Sequence, residues 1–236
     1  MKIMTINTLS RSMEFTLFEM DDNSVIAKGI IERIGLEDSS CEIKYNGEKI
    51  VLTSEINNYE DAVKILFDNL LTLNIISSLD DVKAIGHRVV HGGSKYSNSV
   101  FISDKVINDV YELSDLAPLY NKSEAEGMKA FKSLLPNTLM VAVFDTAFHQ
   151  TISEENFLYP VPYEWYEQYG VRKYGFYGTS HKYVTEEIRK ILGRDNFKLI
   201  SCHLGNGGSV SAIKDMKVVD TSTGFTPLSG IVMGTR

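Results

Sequence analysis

The sequence contains no long hydrophobic run and little cysteine. No stretch approaches the ~18 apolar residues that cross a membrane, and residues 1–7 contain no apolar core followed by a small-residue cleavage site. The two cysteines, Cys41 and Cys202, are far apart and do not have metal-ligand spacing. We therefore predict a reduced, cytoplasmic protein with no membrane partner, in which Cys202 is buried within an apolar strand.

The sequence also has fewer basic residues than acidic residues. The chain has 24 Lys and Arg against 31 Asp and Glu, a formal net charge of −7, and no local run of basic residues. Because nucleic-acid-binding proteins neutralise phosphates with basic patches, this composition argues against a nucleic-acid partner. The remaining composition, 43% hydrophobic and 23% charged residues, is ordinary for a globular protein, and 236 residues allow two modest domains.

Hydrophobic periodicity alternates between strand and helix along the chain. Runs rich in Ile, Val and Phe predict strands at 2–6, 14–20, 25–34, 83–90, 138–144, 198–204, 209–213 and 217–220. Apolar residues at helical spacing predict a helix over 58–76, with Ala62, Leu66, Leu70 and Leu73 on its buried face. A capping box at 123–126 predicts the start of a second helix, with Met128, Phe131, Leu134 and Leu135 as its apolar stripe. A third helix over 183–192 has the stripe Val184, Ile188, Ile191 and Leu192.

This alternation predicts an α/β protein with mixed sheets flanked by helices. We find no internal repeat, low-complexity segment or clear linker. A strand that ends near residue 145 is followed by an aromatic, Pro-containing segment. We therefore predict two domains, 1–147 and 148–236.

Four predicted strands run into polar or Gly-rich segments, where ligands bind in open α/β sheets. These segments are GHRVVHGG at 86–93, VFDTAFHQ at 143–150, HLGNGGS at 203–209 and DTSTGFT at 220–226. Three glycines within 205–208 let backbone N–H groups point at an anion such as a phosphate. The alternative is a plain β-hairpin, because Asn206-Gly207 is a strong hairpin signal. Both interpretations can hold together.

Charged and aromatic side chains in these segments also allow two interpretations. Arg88 lies within an apolar strand and needs an anionic partner, which is either a substrate or a structural carboxylate. Asp145 follows a buried strand and suits magnesium, although an Asp that only begins a turn is equally common. For the histidines 87, 91, 149 and 181 we favour a place in the core over a ligand role. We likewise favour packing for Tyr174, Phe176 and Tyr177.

In combination these segments resemble the acetate kinase family. The chain has, in the family's order, the strings GHRVVHGG, MVAVFDTAFHQT, YGFYGTSH, CHLGNGGS and DTSTGFTPLSG. The resemblance implies the two-domain fold of the actin and sugar-kinase superfamily, which is ribonuclease H-like. It also implies the reversible, Mg²⁺-dependent transfer of a phosphoryl group from ATP to acetate, which gives ADP and acetyl phosphate.

The resemblance also implies roles for individual residues. Arg88 and Arg236 would hold the carboxylate and the transferring phosphoryl group, and Asp145 would position the metal and the transition state. Asn7 would lie beside the phosphates and the metal. The nucleotide phosphates would contact His203, Gly205, Asn206, Gly207, Gly208 and Ser209. Val90 and Pro227 would line the acyl pocket, and Tyr177 would occupy a catalytic position.

The chain departs from the family's pattern at four of its motif positions. Leu9 replaces a glycine and Glu14 a lysine near the expected phosphate site, and Tyr120 and Tyr177 replace histidines. A tyrosine can donate a hydrogen bond but carries no positive charge near neutral pH. Family members also continue beyond Arg236, so we expect an incomplete second domain without the adenine-binding segment.

Three functions follow as alternatives. The first is an acetate kinase that acts on small molecules, in the family's homodimeric form. The second is a catalytically impaired relative that only binds a ligand or a partner. The third keeps the chemistry and takes propionate or butyrate, because one methylene changes binding by only ~1–3 kcal/mol.

Overall fold

The computed structural model describes residues 1–234, which form two compact units. Unit one consists of Met1–Val89 and Val100–Val143, and unit two consists of Val90–Ser99 and the chain from Phe144 onward. The domain boundary after residue 147 stays a prediction. No helix within residues 1–234 is both long enough and apolar enough to span a membrane.

Unit one contains most of the strands. Its elements are β1 (Lys2–Thr8), β2 (Ser12–Glu19), β3 (Ser24–Glu32), β4 (Ser40–Tyr45), β5 (Glu48–Thr53), α1 (Tyr59–Thr72), β6 (Val82–Val89), β7 (Val100–Phe101), α2 (Asp104–Glu112), α3 (Asn121–Leu134) and β8 (Leu139–Phe144). The eight strands form one sheet in the order β5-β4-β3-β2-β1-β6-β8-β7. β1 pairs parallel with β6 and antiparallel with β2, which confirms the predicted α/β class with a mixed sheet.

The core of unit one forms where helices cover this sheet. α1 begins after Asn58, whose side chain accepts a hydrogen bond from the Asp61 N–H as an N-cap. Ala62, Leu66 and Leu70 are fully buried, as their spacing predicts, and Leu73 is partly buried beside the same core. These side chains therefore place the buried face of α1 in the core of unit one, where α1 also packs against α3.

The capping box predicted at Ser123 is wrong. α3 begins at Asn121, two residues earlier, and Glu124 is buried within its first turn. A backbone turn supplies the start instead, because the N–H groups of Tyr120 and Asn121 both donate to the carbonyl of Ala117. The Asn121 side chain also donates to the carbonyl of Val110 in α2, which fixes the entry of the helix.

Unit two is built around a small antiparallel sheet. Its elements are α4 (Glu154–Phe157), α5 (Tyr163–Tyr169), α6 (Gly178–Leu192), β9 (Lys198–Leu204), β10 (Gly208–Lys214) and β11 (Lys217–Thr221). The strand order is β11-β10-β9, and a 3₁₀ turn at Ala147–Thr151 precedes α4. α6 and this turn pack on one face of the sheet.

The face that α6 buries is polar, so the predicted apolar stripe is wrong as a buried face. His181 and Thr185 are fully buried, whereas Ile191 is 78% and Leu192 45% exposed. The helix also begins at Gly178, five residues before the predicted start. Periodicity alone missed this because the residues that pack on the sheet are a histidine and small hydroxyl side chains.

The prediction that Cys202 is buried is also wrong. Alternation along β9 places Ser201 toward the buried side, and Ile200, Cys202 and Leu204 toward the exposed side. Cys41 in β4 is the buried cysteine, and burial raises the pKa of its thiol to about 11. The thiol of Cys41 is therefore protonated at neutral pH.

Candidate functional site

Three polar residues of unit one form a ladder across neighbouring strands. Asn7 in β1 lies opposite Arg88 in β6 and opposite Glu14 in β2. Arg88 Nη1 donates to Asn7 Oδ1 across 2.9 Å, and Asn7 Nδ2 donates to Glu14 Oε2 across 2.9 Å. Arg88 and Asn7 are half-buried and Glu14 is exposed. The Asn7 amide is thus oriented by both neighbours.

Glu14 adds a negative charge to this ladder of side chains. Its carboxylate lies on the same sheet face as Asn7 and Arg88, so a negative charge accompanies the guanidinium. An anion that binds here meets attraction from Arg88 and repulsion from Glu14. The hydrogen bond shows that the Glu14 carboxylate points toward Asn7.

The substitution of Leu9 for glycine fits the local backbone. Leu9 lies in the turn between β1 and β2, where its N–H donates to the carbonyl of Ser12 across 2.8 Å. Leu9 does not have a positive φ, so this turn does not require a glycine. The carbonyl of Leu9 also accepts a hydrogen bond from the hydroxyl of Tyr59.

His87 lies on the opposite side of β6 from Arg88, inside the core of unit one. Its ring contacts Phe131 edge to face, with centroids 5.0 Å apart. Burial lowers the pKa of His87 to about 3, so the ring is neutral at pH 7. This position agrees with the core role that the sequence favoured.

Asp145 of unit two is buried where β8 ends and is held by the first turn of α6. The hydroxyl of Thr179 donates to Asp145 Oδ1 across 2.7 Å, and the Gly178 N–H donates to the Asp145 carbonyl across 2.9 Å. A Cβ at residue 178 would lie 2.2 Å from that carbonyl oxygen, so only glycine permits this approach. The positive end of the helix dipole also favours the carboxylate.

Residues 205–209, which we call the glycine loop, comprise the turn between β9 and β10 and the first two residues of β10, and they form the predicted hairpin. The Gly205 N–H donates to the Gly207 carbonyl across 3.0 Å, and the Gly208 N–H donates to Met233 Sδ across 3.1 Å. Asn206 is exposed, and its side-chain oxygen lies close to Gly234. The hairpin prediction is thus confirmed, and phosphate binding by the loop stays a prediction.

Two aromatic rings lie beside the glycine loop. Tyr177 stacks on His203 with centroids 4.6 Å apart and planes 15° apart. His203 Nδ1 is 2.9 Å from the hydroxyl of Ser180 in α6. The Tyr177 hydroxyl reaches Gly207, the middle of the loop.

A buried network of histidine and hydroxyl side chains lies next to the glycine loop and includes its last residue, Ser209. His181 contacts Ser201 and Ser209 at 2.9 and 3.1 Å. His149 Nε2 lies 3.1 Å from the Ser211 hydroxyl, which in turn lies 2.9 Å from that of Thr221. Ser209 is fully buried, so its hydroxyl belongs to this network.

Both network histidines are neutral at pH 7. Burial, followed by the charge of the other histidines, lowers the pKa of His149 to about 3 and of His181 to about 4. Sequence analysis found the two histidines but gave no role to Thr179, Ser180, Ser201, Ser211 or Thr221. The available signal was the string YGFYGTSH, in which small hydroxyl residues begin a helix.

The remaining predicted residues are less informative. Val90 is buried and Pro227 is half-buried in unit two, and Tyr120 is half-buried directly before α3. Nothing in their surroundings tests an acyl-pocket or catalytic role. Arg236 lies outside the described residues.

A magnesium ion would have to bind here through few protein ligands. Among residues 1–234, no group of three or more His, Cys, Asp or Glu could hold a metal. Mg²⁺ often binds through one or two carboxylates together with waters and substrate phosphates. Asp145 fits that role because it is a buried carboxylate that the hydroxyl of Thr179 orients.

Comparison with known proteins identifies the family. The sequence model of the Acetokinase family matches residues 2–236. The whole chain is 54% identical to the acetate kinase of Anoxybacillus flavithermus and 53% to that of Bacillus subtilis, and it spans 60% of the length of each.

Solved structures agree with this match. The chain superposes over its full length on the acetate kinase of Porphyromonas gingivalis, with a TM-score of 0.95 and 42% identity. It also superposes on a propionate kinase of Francisella tularensis, with a TM-score of 0.92 and 40% identity, and covers 60% of each structure. The chain belongs to the Acetokinase family.

Proposed function

We propose that this chain carries the carboxylate-binding and phosphate-binding residues of an acetate kinase. The reaction is the reversible transfer of the γ-phosphoryl group of ATP to acetate, which forms ADP and acetyl phosphate. The observation that carries this proposal is the identity of 54% along the whole chain with a relative named acetate kinase. Phosphoryl transfer needs positioning and cations more than covalent chemistry by the protein, and the polar groups described above suit that need.

In unit one, Arg88 binds the carboxylate of acetate. Its guanidinium presents a planar set of donors that matches a carboxylate, and the hydrogen bond to Asn7 holds it in one orientation. Asn7 lies beside the phosphates, where its oriented amide meets the charged oxygens. On the family's pattern alone, Arg236 would help to hold the transferring phosphoryl group.

In unit two, Asp145 holds Mg²⁺ together with the nucleotide phosphates. When bound, the ion neutralises the charge that develops on the phosphoryl oxygens. Thr179 orients the carboxylate, and the start of α6 keeps Asp145 at a fixed place. Replacement of the Asp145 carboxylate by an uncharged side chain therefore weakens metal binding.

The glycine loop receives the nucleotide phosphates through its backbone N–H groups. Residues without side chains allow a phosphate to approach closely, and His203 lies two positions before the loop. The buried hydroxyl of Ser209 and the neutral His181 keep the first residues of β10 in place.

The acyl group is acetate or a slightly longer carboxylate. One solved relative is named a propionate kinase, so propionate is the second candidate, with butyrate behind it. Val90 and Pro227 are the proposed pocket walls. We expect modest preference among these acids, since one methylene is worth only ~1–3 kcal/mol.

The alternative function is ligand binding without turnover. Glu14 favours it, because its carboxylate is hydrogen-bonded to Asn7 where the family has a lysine.

On the family's pattern, we also propose that the protein is a homodimer and that it is located in the cytoplasm.

Acetyl phosphate formation tests this function. The chain is incubated with ATP, Mg²⁺ and acetate, and hydroxylamine traps the product as a coloured hydroxamate. Asp145→Ala serves as the control, because it removes the proposed metal ligand. We expect product from the wild type and at least ~10²-fold less from the variant. Nucleotide binding without product in the wild type would favour the alternative function.

A further inference from the structure

We infer that Tyr177 is a positioning residue that fixes the shape of the glycine loop. This inference rests on the proposed function, because it assumes that the loop receives phosphates. It assigns Tyr177 a contact with the loop backbone in place of a direct role at the reacting atoms.

The backbone of Tyr177 is held in an unusual conformation. Its φ is +62° and ψ is +22°, in the left-handed region that residues with a Cβ rarely adopt. The next residue, Gly178, donates its N–H to the carbonyl of Asp145. The surrounding structure therefore fixes the backbone from which the Tyr177 side chain extends. This side chain points toward β9, where its ring stacks on His203.

The ring is also held on its face. It stacks on His203, the penultimate residue of β9, with centroids 4.6 Å apart. His203 is held in turn by its contact of 2.9 Å with Ser180, one turn further along α6. Tyr177, directly before α6, and Ser180, in its first turn, therefore fix His203, which lies two positions before the glycine loop.

The end of the ring fills the space that a side chain at residue 207 would occupy. A Cβ built on Gly207 would lie 1.8 Å from the Tyr177 hydroxyl oxygen and 2.6 Å from Cζ. Gly207 does not have a positive φ, so its backbone conformation alone does not require glycine. The Tyr177 ring therefore leaves no room for a side chain at residue 207, which explains the glycine at this position.

Gly205 provides a contrast within the same loop. A Cβ there would come no closer than 3.6 Å to any atom, which is ordinary van der Waals contact. Tyr177 thus touches the middle of the loop specifically. Without the ring, the loop would lose its contact with Tyr177 at Gly207.

A double-mutant cycle tests the contact itself. Four proteins are compared by thermal unfolding: wild type, Gly207→Ala, Tyr177→Ala and the double variant. In the wild-type background we expect Gly207→Ala to lower Tm by about 5 °C, because the methyl group displaces the ring. In the Tyr177→Ala background the same change should leave Tm unchanged or raise it slightly. An equal loss in both backgrounds would overturn the inference.

Hydrogen exchange and nucleotide affinity test the positioning role. Tyr177→Ala should speed amide exchange in residues 205–208 about tenfold and weaken MgADP binding about tenfold. Tyr177→Phe keeps the stacked ring, so it should stay within about threefold of wild type in both measurements. Tyr183→Ala is the matched control, because Tyr183 is 67% exposed on the same helix.

The outcomes separate this inference from the proposed function. An equal loss of MgADP binding in Tyr177→Phe and Tyr177→Ala, with unchanged loop exchange, would show a direct phosphate ligand and overturn the inference. If wild type binds no MgADP, the proposed function fails. The exchange rates and the double-mutant cycle then still decide whether Tyr177 positions the loop.

Discussion

Arg88 and Asn7 lie opposite each other on the parallel strands β6 and β1, and Arg88 Nη1 donates to Asn7 Oδ1 across 2.9 Å. The strand register alone brings these two side chains, 81 positions apart, to one sheet face. A hydrogen bond to a charged group contributes ~1.5–3 kcal/mol, enough to restrict the guanidinium to one orientation.

Replacement of Arg88 by alanine should weaken binding of acetyl phosphate about 10- to 100-fold, because the fixed guanidinium is lost. Isothermal titration of acetyl phosphate measures this effect. Arg88→Lys should recover only part of the affinity, since an ammonium group does not bind a carboxylate or phosphate in bidentate fashion. Arg194→Ala, a change at an exposed arginine, is the matched control and should have no effect. Unchanged binding in Arg88→Ala would contradict the proposed role.

Replacement of Glu14 by glutamine should strengthen anion binding. The amide can still accept the hydrogen bond from Asn7 and removes a negative charge beside Arg88. We expect acetyl phosphate to bind about threefold to tenfold more tightly at low salt. The gain should shrink at high salt because exposed charges are screened. A gain that does not depend on salt would mean that charge repulsion is not its cause.

Replacement of Gly178 by alanine should destabilise unit two. The new Cβ would lie 2.2 Å from the Asp145 carbonyl oxygen, so the start of α6 must move away from Asp145. We expect a loss of about 1–3 kcal/mol in urea unfolding, together with weaker Mg²⁺-dependent nucleotide binding. Gly86→Ala is the control, because a Cβ there meets nothing within 4 Å and the residue has no positive φ. Equal effects of both substitutions would count against the contact.

Stability should fall as the pH drops from 7 to 5. Burial lowers the pKa of His87, His91, His149 and His181 from 6.5 to about 3 or 4. Below pH 6.5 the unfolded chain binds protons that the folded chain does not, so the free energy of unfolding decreases with falling pH. Each histidine contributes a slope of up to about 1.4 kcal/mol per pH unit, and it adds no further loss below its folded pKa.

Urea unfolding at pH 5, 6 and 7 measures this slope above the range in which carboxylates titrate. His87→Phe should reduce the slope by the contribution of one histidine, because a neutral ring of similar shape keeps the contact with Phe131. A stability that is constant from pH 7 to pH 5 would show that these rings are not buried and neutral.

Sequence analysis succeeded where one periodicity dominates. Strands β1, β2, β3, β6 and β8 and the buried face of α1 follow from alternating or helical hydrophobic patterns, whereas β4, β5 and β7 were not predicted. It failed at α6, because the buried face of that helix carries His181 and Thr185 in place of apolar residues. It failed at Cys202 because an apolar run cannot tell the two faces of an edge strand apart.

The residues proposed for the candidate site stand out in the sequence, whereas the contacts that these residues make do not. Arg88, Asp145 and the glycine loop stand out because polar residues follow apolar strands. Their partners do not stand out, since Thr179 is an ordinary threonine until α6 brings it to Asp145. The link between Glu14 and Asn7 likewise depends on strand register, which the sequence does not show.

The reverse reaction tests the central claim most directly. The chain is mixed with acetyl phosphate and MgADP, and the ATP formed is measured by luminescence for wild type, Asp145→Asn and Arg194→Ala. We predict ATP formation by wild type and Arg194→Ala, and a loss of at least ~10²-fold in Asp145→Asn with an unchanged circular dichroism spectrum. Equal ATP formation by wild type and Asp145→Asn, or none by folded wild type, would contradict the proposal that this chain carries the machinery for phosphoryl transfer.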